Sequence, residues 1–322
     1  MFRPIWTLPL SQSSIQKLKA QGFNCCEDLI DLPNGSEYFS GLLETEEEIR
    51  EMLKHPKPKI ASEMAEERDC IATFCKGIDE LLNGGVQVGK LTELTGAPGS
   101  GRSQLCMQLC VSVQIPACFE GLEAEAIYID TNSNFSHVRL TEMIEAFQEH
   151  VSRVLTGSNM FKGSKTELLN TLTTTKMFEK VHVIKMNDLN QLYALYDLIK
   201  QYSKVKLIIV DSFVMPLYKL DNSLKKNSIV HNALDILITI AQKHNVAVVL
   251  TNDLTTMIND KETMVFPALG ETFAHRMHYR LLLSKTPNNP NSYTAFLKKS
   301  VEQAPTAANF QITTAGVRDI HS

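Results

Sequence analysis

The chain has 322 residues, 43% of them hydrophobic and 21% charged, with a formal net charge of −4. That composition belongs to a globular chain with one large core and room for a small appended domain. It excludes a protein that coats nucleic acid through many phosphate contacts, which would be basic, and no apolar run is long enough to cross a bilayer. The start, Met1-Phe2-Arg3-Pro4, lacks the basic-then-apolar layout of a secretory signal. Seven cysteines, with no paired C-x-x-C spacing, fit a reducing compartment.

Residues 1–55 read as a small helical domain. Ser11 can cap a helix running to about Ala20, with Gly22 closing it. A second helix starts near Cys26, Pro33-Asn34-Gly35 turns the chain, and Glu44 to Lys54 suggests a third. His55-Pro56-Lys57-Pro58-Lys59 then opens an extended linker over 56–70.

The core, 71–322, alternates strands and helices. Apolar runs at Ala126–Ile129, Val181–Ile184, Leu207–Val210 and Val246–Leu250 show no period-two alternation, as in parallel strands buried on both faces. Helical segments at Leu189–Tyr202 and Ile229–His244 lie between them. The fold class is α/β, with a mostly parallel, doubly wound central sheet. Beyond Arg280, the segments Leu281–Ser284, Tyr293–Leu297 and Asn309–Ile312 read as antiparallel strands at one edge.

Early in this core stands Gly96-Ala97-Pro98-Gly99-Ser100-Gly101-Arg102-Ser103. It follows a strand at Lys90–Leu94 and precedes a helix at Gln104–Ile115, the setting that a phosphate-binding loop requires. The glycines let backbone N–H groups turn inward toward phosphate oxygens, and the helix adds the positive end of its dipole. Ser103 would place a hydroxyl on magnesium, and the cation at 102 would reach the β- and γ-phosphates. The pattern asks for lysine there, and Arg102 is bulkier, planar and forked. Binding survives such a change more readily than hydrolysis, which needs fixed charge around the γ-phosphate. Leu207-Ile208-Ile209-Val210-Asp211 supplies a strand ending in a carboxylate, a second magnesium position or a cap for the next helix. Cys106 and Cys110, one helical turn apart, are either a redox pair or packing residues.

With Ala126-Ile127-Tyr128-Ile129-Asp130-Thr131 and Leu250-Thr251-Asn252, the order of motifs resembles the RecA-type recombinases of eukaryotes, and among them the C paralogue of the Rad group. Thr73-Phe74-Cys75, Val113-Gln114-Ile115-Pro116 and Pro267-Ala268-Leu269-Gly270-Glu271 carry the same likeness, which covers about residues 70–320. The resemblance implies a RecA-like P-loop ATPase core that takes ATP and Mg, with a small helical domain before it. In active members the residue after Y-I-D-T is a glutamate that activates water; here it is Asn132. A glutamine that senses the γ-phosphate is replaced by Asp253, whose charge repels that phosphate. Arg139 matches the family's adenine-stacking arginine, and Ser103 and Asp211 match its magnesium positions. Nucleotide-binding positions are therefore kept, and three tied to hydrolysis (Arg102, Asn132, Asp253) are altered.

The family binds DNA with two loops. The first falls here at about Lys219–Ser228, with Lys219, Lys225 and Lys226, the second at about Asp253–Glu271, which is acidic, with Arg276, Arg280 and Lys285 just beyond. Lys298-Lys299 matches residues that reach a neighbour's nucleotide, or is a surface charge pair. The resemblance implies a nuclear DNA repair protein, with a cytoplasmic pool and a meiotic role left open. Its partners would be other paralogues, the main strand-exchange recombinase and DNA within a complex, with no membrane. A working DNA-stimulated ATPase and a nucleotide-free scaffold are the alternatives.

Overall fold

The computed structural model describes residues 3–53, 69–157, 165–220, 223–259, 262–287 and 291–320. The chain divides into two compact units, Met1–Glu67 and Arg68–Ser322. Most of the linker expected over 56–70 lies outside the described residues.

The first unit carries helices at Gln12–Ala20, Glu27–Ile30 and Glu46–Leu53. Ser11 Oγ accepts the Ser14 N–H at 3.2 Å, so the expected cap forms. Ile5, Leu18, Leu29 and Ile49 are fully buried together, which gives this small unit an apolar centre of its own.

The second unit begins with a short antiparallel pair, β1 (Cys70–Ile71) and β2 (Val86–Gln87). The main sheet is built from β3 (Leu91–Gly96), β4 (Glu125–Asp130), β5 (Val181–Lys185), β6 (Val205–Asp211) and β7 (Ala247–Asn252). A separate hairpin follows, β8 (Leu254–Asn259) with β9 (Glu262–Pro267), before the sheet resumes with β10 (Tyr279–Lys285), β11 (Ser292–Lys299), β12 (Ala307–Thr313) and β13 (Gly316–Asp319). The nine strands lie in the order β13-β12-β11-β10-β3-β7-β6-β4-β5. From β10 to β5 every pairing is parallel, and from β10 to β13 every pairing is antiparallel.

Successive residues of a strand point to opposite faces, and both faces here are apolar. Tyr128, Leu207, Ile209 and Val249 join one buried cluster with Leu105, Leu109, Met143 and Phe147 of the Arg102–Ser112 and His137–Gly157 helices. Ile127, Ile129, Ile208, Val210 and Val248 join the other, with Leu195, Ile199, Leu234 and Leu237 of the Leu192–Gln201 and Ser223–His244 helices. This is the doubly wound α/β architecture that the strand–helix alternation predicts.

Four local readings change. The Val181–Ile184 strand is the outermost of the sheet, and Val183 is exposed, so its apolar run does not mark burial on both faces. The Leu281–Ser284 strand pairs parallel with β3 as well as antiparallel with β11, because a short apolar run carries no direction. The helix expected from Ile229 starts at Ser223, which sets Lys225 and Lys226 on a helix rather than in a loop. The second expected loop is largely the β8–β9 hairpin; its Asp260 and Lys261 lie outside the described residues.

One carboxyl makes stability pH-dependent. Asp79 Oδ1 accepts the Thr73 N–H at 2.8 Å, and burial pushes its carboxyl up to about 6. The folded chain then holds a proton that the unfolded chain releases at about pH 4. Stability from this group is full below the unfolded value and is lost as pH rises through about 6. Thermal melts of Asp79→Asn should therefore show a flatter fall than the parent between about pH 4 and pH 7. Parallel curves for the two proteins would contradict this assignment.

Candidate nucleotide site

β3 delivers the chain to Gly96 at the C-terminal edge of the parallel strands, where doubly wound sheets bind ligands. The loop then turns through Gly99 (φ 78°) and Gly101 (φ 95°), and the Arg102–Ser112 helix begins directly after it. Only glycine adopts these angles without strain. The helix start points N–H groups that have no partner within the helix toward the loop's concavity. Residues 98–104 line a cavity of about 760 Å³ together with Asn132, Asn134, Tyr218, Asp253, Tyr293 and Ile312. Its size is that of a small-ligand or cofactor site.

A nucleotide's phosphates fit this loop. A Cβ at Gly96 would overlap the Leu283 carbonyl and Ser100 Oγ, so the backbone there is as close as it can come. Ser100 Oγ is buried beside Gly96 and has no hydrogen-bond partner in the protein. Ala97 O accepts the Ser100 N–H at 3.1 Å and closes the turn.

Arg102 and Asp253 meet. Arg102 Nη1 donates to Asp253 Oδ1 at 2.5 Å and to the Asn252 carbonyl at 2.6 Å. Asn132 lines the cavity, and its N–H is held by Asp130 Oδ1 at 3.1 Å. Asp130 also accepts the N–H groups of Asn134 and Phe135, which fixes the turn after β4. Neither Asn132 nor Asn134 can take a proton from water.

Asp211 ends β6 and is buried. Tyr128 Oη donates to its Oδ2 and Thr251 Oγ1 to its Oδ1, both at 2.6 Å. Burial, and next the Asp211 carboxylate, push the Tyr128 phenol well above its usual range, so it keeps its proton and donates. Asp211 is not among the cavity's lining residues, whereas Ser103 is. Among the described residues no group of three or more His, Cys, Asp or Glu could hold a metal ion. A magnesium ion here would need phosphate oxygens, the Ser103 hydroxyl and Asp211 behind it.

Arg139 stands outside the cavity's lining but touches it through Gln104, whose Oε1 accepts Nε at 2.7 Å. Its other nitrogens reach Glu142 and the carbonyls of Thr313 and Thr314. The guanidinium is thus pinned at the β12 end of the site. Tyr218 and Tyr293, which supply aromatic surface to the cavity, carried no sequence signal, because neither belongs to a motif.

The positions expected to meet DNA separate. Lys219 and Lys225 are exposed, Lys226 lines a second cavity of about 290 Å³, and Arg276 is paired with Asp235. Arg280 is almost wholly buried against Glu93, so it does not stand at the surface beside the acidic second loop. Lys285 remains exposed. Lys299 donates to the carbonyls of Ala274 and His275 at 3.0 Å, capping the Gly270–Arg276 helix, so of that pair only Lys298 is exposed. Cys106 and Cys110 are fully buried free thiols pushed up by burial; they pack and do not ionise.

Known proteins give the same direction. The Rad51 family model matches residues 66–320. "DNA repair protein RAD51 homolog 3" of Cricetulus griseus is 32% identical over 344 aligned positions, covering 99% of this chain and 93% of that one. Its Dictyostelium discoideum namesake is 34% identical over 78% of this chain and 65% of its own length. "DNA repair protein RAD51 homolog 2" of Homo sapiens is 28% identical over 66% of this chain and 59% of its own. With a RecA-like sheet, a glycine loop at its edge and a family match over most of its length, the chain belongs to the Rad51 family.

Proposed function

We propose that this chain is a recombinase paralogue that holds ATP and magnesium and seldom cleaves the nucleotide. It would assist homologous recombination and double-strand-break repair, in mitotic or meiotic cells, inside a complex of paralogues that serves the main strand-exchange recombinase. The names of its relatives, which are DNA repair proteins, support the repair setting and with it a nuclear location. No helix among the described residues is long and apolar enough to cross a membrane. The working division would be the helical unit at 1–55, the linker at 56–70 and the ATP core at 71–322.

The observation that carries this reading is the pairing of a complete glycine cradle with a disabled chemical end. Gly96, Ala97, Pro98, Gly99, Ser100, Gly101 and Ser103 hold the phosphates through backbone N–H groups and a hydroxyl. Bound magnesium would neutralise phosphate charge and orient the terminal group. Arg102 is turned to Asp253, and Asn132 offers no base. A general base contributes about two to four powers of ten in rate, so its loss, together with the changed cation at position 102, should leave little turnover.

The full chain with ATP, magnesium and single-stranded DNA should release phosphate at the background rate. Arg102→Lys alone should not raise it, because position 132 still lacks a base. Release well above background, in either protein, would replace this reading with that of a DNA-stimulated ATPase.

DNA contact by the isolated chain should be weak and salt-sensitive. Lys219 after β6 and Lys225 on the Ser223–His244 helix are exposed, Lys226 lines the second cavity, and Arg276 is paired with Asp235.

A further inference from the structure

Two departures of the phosphate site answer each other. Arg102 is the only cationic side chain that lines the cavity among the described residues, and Asp253 the only carboxylate. They form one short ion pair, Nη1 to Oδ1 at 2.5 Å, and the same Nη1 reaches the Asn252 carbonyl at 2.6 Å. Their side chains are 13% and 22% exposed, so water screens the pair only in part. Charge-assisted bonds of this length are strong, and Arg geometry favours holding a carboxylate. The cavity's one cation therefore faces protein, and its wall carries no net side-chain charge.

The consequences differ along the phosphate chain. The α- and β-phosphates would be held by loop N–H groups and the helix start, which do not involve the Arg102 guanidinium. A γ-phosphate brings further negative charge to the end of the site where the cation is already neutralised. It also meets the Asp253 carboxylate on the same wall, and like charges a few ångströms apart repel.

We propose that the Arg102–Asp253 pair makes this site blind to the γ-phosphate, so that it holds a nucleoside diphosphate at least as tightly as a triphosphate. The nucleotide then serves as a structural ligand whose cleavage state the site does not report. Asp253 is the residue that controls this: it neutralises the guanidinium at that end of the site, and its loss frees the cation. This inference rests on the nucleotide reading above.

The test is a titration of the full chain, with magnesium, by ADP and separately by the β,γ-imido analogue of ATP, which cannot be cleaved at that bond. The parent chain should bind the two within about threefold of each other, or ADP more tightly. Asp253→Asn, nearly isosteric and uncharged, should shift the affinity ratio toward the triphosphate by about tenfold. A parent chain that prefers the triphosphate by about tenfold or more would overturn the inference while leaving the nucleotide reading intact. An unchanged ratio in Asp253→Asn would remove the pair from the explanation and overturn it too. Failure of the parent to bind either ligand would mark the failure of the nucleotide reading itself.

Discussion

Glu93→Ala is expected to unfold the larger unit near physiological temperature. Glu93 is fully buried in β3, between β7 and β10. Its Oε1 accepts Asn252 Nδ2 at 2.7 Å, and its Oε2 accepts the Nε of Arg280, itself almost wholly buried. The carboxylate thus ties three adjacent strands at the level of the phosphate loop. Alanine would leave a buried guanidinium without its counter-charge and a buried amide without an acceptor. Breaking a buried pair from one side costs about 3–5 kcal/mol, against a total stability of about 5–15 kcal/mol. The cost comes from the stranded charge more than from lost attraction. Hence Glu93→Met combined with Arg280→Met should recover most of the loss. Urea unfolding monitored by circular dichroism measures both; a midpoint for Glu93→Ala equal to the parent's would show that the pair contributes nothing.

Gly96→Ala should severely weaken nucleotide binding and cost stability as well. The added methyl would overlap the Leu283 carbonyl, a backbone atom of the neighbouring strand, and Ser100 Oγ in the loop. Gly96 is registered against Leu283 in the β3–β10 ladder, so relief means pushing two strands apart or displacing the loop. Overpacking of this kind costs about 1–3 kcal/mol. Moving the cradle by a fraction of an ångström misaligns several N–H groups at once, and each 1.4 kcal/mol lost is about tenfold in affinity. ATP affinity should drop by about a hundredfold or more. Gly99→Ala is the contrast: nothing lies within 4 Å of the added atom, though φ of 78° still strains it. Its loss should be about tenfold or less. Equal binding by Gly96→Ala and the parent would place the phosphates elsewhere.

The parts of this molecule that sequence made legible are those fixed by local chemistry. The glycine loop lies between a strand and a helix because its residues demand it, and Ser11 caps its helix through its own hydroxyl. The parallel strands were visible as apolar runs because both their faces meet helices. What failed depended on partners distant in the chain. Val181–Ile184 looks like a core strand, yet only its place at the end of the sheet exposes Val183. Arg280 looks like a cation near a DNA loop, yet Glu93, 187 positions earlier in the chain, draws it inside. Lys299 looks like a free charge and is tied to two carbonyls. In the sequence Arg102 and Asp253 each look like a separate defect. That one neutralises the other is a fact of the fold, since 151 positions separate them.

The claim on which the account depends is that a nucleotide occupies the cradle and persists there. Equilibrium binding of radiolabelled ATP to the purified full chain, with labelled phosphate counted in the same samples, tests it most directly. Saturable uptake at one site per chain, with phosphate release at background, is the expected result. No uptake at millimolar ATP, alone or beside other Rad51-family proteins, would contradict it.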